Sequence, residues 1–269
     1  MKRTSIALLS ALVLPFASAQ IATADVELSD GTVLSAEPYF IVTYIEAAPA
    51  SKDAVAELVK SFGEDSKADA GSLRFEVLQG TGRDNHFAFL EAWESQAARD
   101  AHASDEHTIK FRNDLEPNLY SPYDERPHVG LVAVDPATIA AGDGSTIYAI
   151  THVDIIPPEQ FAPCSRQVDE AGPCGNEMVT GLVSKSRDHA GNLRFDVLTQ
   201  ANRPNHMTLV EAWDSAASQE AHTINMDTRN FRDSLAGIEP GSGVSDDPLF
   251  VINPLTGSLY DEQLYVQVD

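Results

Sequence analysis

Hydrophobic and polar positions alternate in blocks that change period along the chain. Tyr39 to Ala47 is rich in β-branched and aromatic residues and predicts a strand. Apolar residues at 54, 55, 58, 59 and 62 then recur with helical spacing, so a helix is expected over 51–69. Ser51 is placed to cap its start, and Gly71 lies just past its end. Leu73, Phe75 and Val77 alternate with Arg74 and Glu76, the pattern of a second strand. Residues 80–85 read as a hairpin loop, and Phe87, Phe89, Glu91 and Trp93 share one face of a third strand. Ser95 is the expected cap of a second helix, which runs through His102 and continues past Asp105 to Leu115. A short final strand starts near Tyr123. The order βαββαβ is the ferredoxin-like pattern. Such a sheet has helices on one face and needs a cover for the other.

The chain then repeats itself. GSLRFEVLQG at 71–80 reappears as GNLRFDVLTQ at 191–200, and EAWES at 91–95 as EAWDS at 211–215. At this offset of 120, 20 of the 45 positions from Gly71 to Leu115 are identical, which makes the chain an internal duplication. The first strand pairs with residues near 150 at an offset of 108, so the second copy carries 12 extra residues, and these include Cys164 and Cys174. SPYDERPHV at 121–129 matches SLYDEQLYV at 258–266 at an offset of 137, which places 17 further residues in a Gly/Ser/Asp-rich stretch. The expected organisation is an extension over 20–38, a first unit over 39–131, a linker over 132–145 and a second unit over 146–269. The second unit holds insertions at about 158–172 and 236–257. The fold class is α+β. Two tandem βαββαβ units are expected to pack sheet to sheet with approximate two-fold symmetry, so that one chain acts as a monomeric pseudo-dimer.

Composition narrows the partners. The 269 residues include 18 Lys and Arg against 41 Asp and Glu, a formal net charge of −23. Such a chain repels phosphate backbones and anionic bilayers, so neither nucleic acid nor a membrane surface is an expected partner. Lys2 and Arg3, an apolar run from Ile6 to Phe16 and the small residues Ala17-Ser18-Ala19 have the form of a signal peptide over 1–19, with Gln20 as the mature start. Export to a periplasm or beyond follows, without membrane insertion once that segment is removed. In such a compartment Cys164 and Cys174 are expected to form one disulfide.

The repeated pattern is a Gly, then L-R-F-x-V-L, R-x-N-H, E-A-W-x-S, A-H, F-R and S-x-Y-D-E. In this pattern each copy resembles the antibiotic biosynthesis monooxygenase domain of the dimeric α+β barrel superfamily. The resemblance implies a barrel formed within one chain. It also implies cofactor-independent oxygenation by O2 of a small electron-rich aromatic, such as a quinol or anthrone. Such a substrate is its own reductant, so the protein need only supply an apolar pocket, a base and exclusion of water. No GxGxxG, HExxH or Walker motif is present, and no cofactor or metal is expected. Heme degraders of the same superfamily carry Asn, Trp and His at positions that here hold Tyr44 or His152, His102 or His222, and Arg112 or Arg232, so that activity is not expected.

His102 and His222, nine residues after Trp93 and Trp213, are the candidate bases, since imidazole titrates near neutrality. A His at a helix end that only packs has the same signature. Trp93 and Trp213 are read as stacking walls with Glu91 and Glu211 beneath them, and Arg74 and Arg194 on the neighbouring strand as partners for those carboxylates. Tyr44 and His152 occupy equivalent first-strand positions and are expected to face the same pockets, making the two copies chemically different. A binding protein for a small hydrophobic molecule, or an inert exported scaffold, would use the same residues.

Overall fold

The computed structural model describes residues 25–27, 33–140, 142–155, 175–235 and 259–268. The signal segment, both cysteines and the two long insertions lie outside the described residues. In the N-terminal extension β1 (Val26–Glu27) pairs with β2 (Val33–Leu34).

The first half contains β3 (Tyr39–Glu46), α1 (Lys52–Lys67), β4 (Ser72–Gly80), β5 (His86–Trp93), α2 (Gln96–Ser104), α3 (Glu106–Leu115) and β6 (Asp124–Val132). The second half repeats this order with β7 (Ile147–Asp154), α4 (Gly175–Ser186), β8 (Asn192–Gln200), β9 (Arg203–Trp213), α5 (Ala216–Ile224), α6 (Met226–Leu235) and β10 (Leu259–Gln267). Local signals explain most boundaries. Ser95 and Ser215 accept from the backbone N–H groups of Ala98 and Ser218, capping α2 and α5. Asp105 is extended, which ends α2, and its side chain accepts from the His107 N–H to start α3. The single long helix expected there is therefore two. Gly71 and Gly191 turn the chain into β4 and β8 at φ +80° and +81°. A Cβ on Gly71 would come within 2.5 Å of Ala98 Cβ, so the glycine is required for space as well as for backbone conformation. Ser51 does not cap α1; a short 3-10 turn at Pro49–Ser51 leads into the helix, and the Ser51 side chain makes no capping bond.

All eight long strands join one closed barrel in the order β10-β4-β5-β3-β6-β8-β9-β7. Within each half the strands follow the expected ferredoxin-like order. The halves are joined edge to edge as well as face to face, by β6 with β8 and β10 with β4. The final strand of the first half is accordingly longer than expected. Its last residue, Val132, falls in the predicted linker, and Val129, Gly130 and Val132 pair with β8 because the open edge of the second sheet gives their N–H and C=O groups partners.

Strand alternation divides the core into three. Phe40, Val42, Leu78, Leu90, Tyr148, Ile150, Leu198, Val210 and Tyr265 fill the barrel interior. Ile41, Val55, Val59, Phe62, Phe75, Phe89, Trp93 and Phe111 pack between the first sheet and its helices. Val153, Val183, Phe195, Leu209, Trp213 and Phe231 do the same in the second half. Among the described residues no helix is long and apolar enough to cross a membrane.

A buried ionic cluster crosses the barrel interior. Glu76 on β4 accepts from Arg74 at 2.8 Å and from Arg194, on the opposite strand β8, at 2.9 Å. Arg194 also donates to Asp196 at 2.6 Å. Burial raises the Glu76 pKa, but Arg194 and Arg74 outweigh it and hold the carboxyl below its ordinary value. Arg74 reaches the carbonyls of Ile139 and Ala140 too, tying the segment between the halves to the barrel. Removing one member of a buried pair leaves an uncompensated charge and typically costs about 3–5 kcal/mol. Glu76→Gln should lower the denaturant-unfolding free energy by about that amount. A loss below about 1 kcal/mol, the range of an exposed pair, would contradict the cluster as described.

Candidate active site

The candidate residues separate onto the two sides of the barrel wall. On the helix side of the first half, Trp93 is fully buried at the end of β5, and the His102 ring lies against it with centroids 4.6 Å apart. Trp93 Nε1 donates to Glu91 Oε2 at 3.0 Å, and the Thr43 hydroxyl donates to Glu91 Oε1 at 3.4 Å. Burial pushes the Glu91 carboxyl up to about 7. His102 Nδ1 is 2.6 Å from Asp69 Oδ2; burial pulls the His102 pKa down, partly countered by that aspartate.

The second half repeats this arrangement with one substitution. Trp213 Nε1 donates to Glu211 Oε2 at 2.9 Å, and Trp213 stacks on His222 at 4.5 Å. His189 takes the place of Asp69, with its Nδ1 2.9 Å from His222 Nδ1. Burial pushes Glu211 up to about 8, and burial together with His189 pulls His222 down to about 3. The face of each tryptophan is covered by the histidine of its own half.

Three expectations are corrected. Arg74 and Arg194 do not pair with Glu91 and Glu211. In the register Arg74 stands opposite Ala92, and Phe75 opposite Glu91, so the arginines point into the barrel and the glutamates toward the helices. For the same reason Arg74 and Arg194 lie outside the helix-side pocket. Tyr44 and His152 are likewise not partners of His102 and His222, because they also point into the barrel. They meet each other there, with ring centroids 5.4 Å apart. The Arg126 guanidinium donates to His152 Nε2 at 3.0 Å and lies over the Tyr44 ring. Burial and Arg126 lower His152 to about 4. A cavity of about 570 Å³ opens beside them at the barrel mouth, also lined by Asp124, Asp261 and Tyr265.

A second cavity, about 480 Å³, lies on the helix side between α2, α3 and β6. Arg99, Arg112, Tyr123 and Glu125 line it. Glu125 accepts from both arginines, and the Arg112 guanidinium lies 3.6 Å from the centre of the Tyr123 ring. Burial raises the Tyr123 pKa, partly countered by Arg112 and by the nearby Thr43 hydroxyl. Arg232 and Glu262 make the same ion pair in the second half at 2.9 Å. Arg112, Arg232, Glu125 and Glu262 belong to the repeated F-R and Y-D-E strings, whereas Arg99 is matched by Gln219. Their pairing became visible only when β6 was placed beside α2 and α3.

Glu91 and Glu211 each hold a proton in the folded state between their ordinary value of 4.5 and about 7 or 8. The unfolded chain releases that proton, so stability falls as pH rises through this window. Glu91→Gln and Glu211→Gln keep an acceptor for the tryptophan N–H. Each should stabilise the protein at pH 8 relative to pH 5, by at most on the order of 3 kcal/mol. Thermal unfolding at the two pH values measures this, and equal shifts at both would contradict neutral buried carboxyls.

A family model for antibiotic biosynthesis monooxygenase matches residues 38–114 and 176–234. No curated protein matches. Among solved structures, a candidate monooxygenase from Fusobacterium nucleatum aligns with a TM-score of 0.67 at 10% identity, covering 86% of this chain and 92% of the other. A second, from Lactobacillus acidophilus, aligns at 0.59 and 11% identity, covering 86% and 94%. Likeness at these identities establishes the fold shared over both halves. With the family model matching half of the sequence, the chain belongs to the antibiotic biosynthesis monooxygenase family.

Proposed function

We propose that the first half carries a cofactor-independent monooxygenase site for a small electron-rich aromatic of quinol or anthrone type, with Glu91 as the base. One observation carries the proposal. Glu91 is a buried carboxyl whose hydrogen bonds come from Trp93 and Thr43, with no cation at bonding distance among the described residues. A base that titrates near 7 is matched to take a phenolic or benzylic proton at neutral pH. Tyr123 lines the 480 Å³ cavity and Thr43 donates to that carboxyl, so these two hydroxyls stand between a substrate in the cavity and Glu91. Arg99 and Arg112 at the cavity wall favour the substrate anion that results.

The anion passes one electron to O2, and the resulting pair of radicals combines at the substrate carbon. For an anthrone, one oxygen atom becomes the new carbonyl. The other leaves as water with the two hydrogens of that carbon. Family membership supports this class of reaction. Export is proposed on the Lys2-Arg3 to Ala19 pattern alone. A monomeric state is proposed because both sheets of the barrel come from one chain.

Oxygen uptake with a panel of quinols and anthrones, without added flavin, nicotinamide or metal, tests the reading. Turnover of at least one substrate is expected, rising with pH through about 7 as Glu91 deprotonates. Glu91→Gln should lower kcat by about 10²–10⁴-fold, the usual loss for a positioned base, while Glu211→Gln leaves most of it. No uptake across the panel, with one of the same compounds raising the unfolding midpoint, would make this a binding protein instead.

A further inference from the structure

We propose that Asp69, His102 and His107 form a binding site for one divalent transition-metal ion of the zinc or cobalt class. The three side chains come from three elements: the turn after α1, the end of α2 and the first turn of α3. Asp69 Oδ2 is 2.6 Å from His102 Nδ1 and 3.3 Å from His107 Nε2, and all three donor atoms lie within 4.8 Å of one another. Donors around a tetrahedral ion with bonds of about 2.0–2.2 Å stand roughly 3.3 Å apart, so an ion enters by a small opening of the Asp69–His102 pair. The Thr108 hydroxyl is 3.4 Å from both histidine nitrogens and places a fourth donor atom, an oxygen, beside the same point.

A second observation singles out a metal over a simple ion pair. His107 Nδ1 is 2.8 Å from Asp105 Oδ1. A carboxylate at Nδ1 takes that N–H and leaves Nε2 as a lone pair aimed at Asp69 and His102. This is the outer-shell arrangement that orients a ligating imidazole. The site is reachable, since the side chains of Asp69 and His107 are each 23% exposed. Two imidazoles and one carboxylate suit zinc, cobalt or nickel, and disfavour calcium and magnesium, which take oxygen donors.

The second half provides an internal control. At the equivalent positions Asp69 becomes His189 and His107 becomes Asp227, so the same residue types are present in exchanged places. Asp227 is held by Lys185 at 2.5 Å, away from the pair formed by His189 and His222. Lys185 stands where the first half has Asp65, replacing an acidic group by a cation. Among the described residues no second cluster of this kind gathers, so one ion per chain is expected.

Metal-free, untagged protein titrated with Co²⁺ tests the site, read by the visible absorption of bound cobalt and by its displacement with Zn²⁺. One Co²⁺ per chain is expected. His107→Ala, at a partly exposed position, and Asp69→Asn should abolish the saturable spectrum with the fold intact by circular dichroism. Asp105→Asn, which still caps α3, should weaken binding about 10–100-fold. His189→Ala should leave it unchanged. No saturable spectrum up to millimolar Co²⁺, or a spectrum that survives both His107→Ala and Asp69→Asn, would overturn the assignment. Because the readout is the metal itself, it is independent of whether the oxygenase reading holds.

Discussion

The structure depends on the closure of its sheet. With β6 joined to β8 and β10 to β4, the eight strands of the barrel have no free edge, and each has only two environments: the enclosed interior and the helix-covered exterior. A side chain's parity along its strand therefore decides which groups it can meet. Arg74, Glu76, Arg194 and Asp196 share the inward parity, so they form one cluster across the barrel. Moving either strand by one residue would turn its charged pair toward the helices, so the cluster fits a single register. Glu91 and Trp93 have the outward parity and face the helix that carries His102. The same rule keeps Tyr44 and His152 on the far side of the wall.

The duplication, the order of strands, the Ser95 cap and the Gly71 turn are readable from the sequence, because each rests on a local signal, whereas Ser51 has the same signal and does not cap. Gly71 is marked by its place after a helical pattern and Ser95 by its place before one, and the repeat carries both signals to Gly191 and Ser215. The face of the first strand was not readable. Tyr39 to Glu46 is apolar on both sides, since one face lines the barrel and the other packs under helices, and a strand buried on both faces has no polar alternation. This is why Tyr44 was grouped with His102. The pairing of Glu91 with Arg74 failed for a related reason. A bulge between Ser72 and Arg74 shifts the register by one, and it puts Phe75 opposite Glu91. Asp69 and His107 carry no joint signal in the sequence because they sit at helix ends on separate elements. Only the fold brings them to His102.

The two halves keep the same frame and differ in the polar groups around it. Glu and Trp at the end of β5 and β9, the helix histidine and the outer Arg–Glu ion pair are present in both. Asp69 against His189, His107 against Asp227 and Tyr44 against His152 are different. The shared set is what the barrel and its helices need for packing; these groups find partners within their own half, while the shared Arg194 reaches across to Glu76 of the other. The exchanged set lies around the helix histidines and the barrel mouth, where a change of residue alters chemistry without breaking a strand. In the first half a carboxylate holds His102, while in the second His222 meets a second imidazole, which lowers its affinity for a proton further.

The proposed chemistry lies on the helix side of the wall, at Glu91, with the barrel interior left to hold the structure together. A crystal structure with a redox-inert phenol analogue bound tests it most directly. The aromatic ring is expected between α2, α3 and β6, against Tyr123 and Arg112, with its hydroxyl directed past Tyr123 and Thr43 toward Glu91. A ring seated instead at the barrel mouth between Tyr44 and His152, with the helix-side cavity empty, would contradict it.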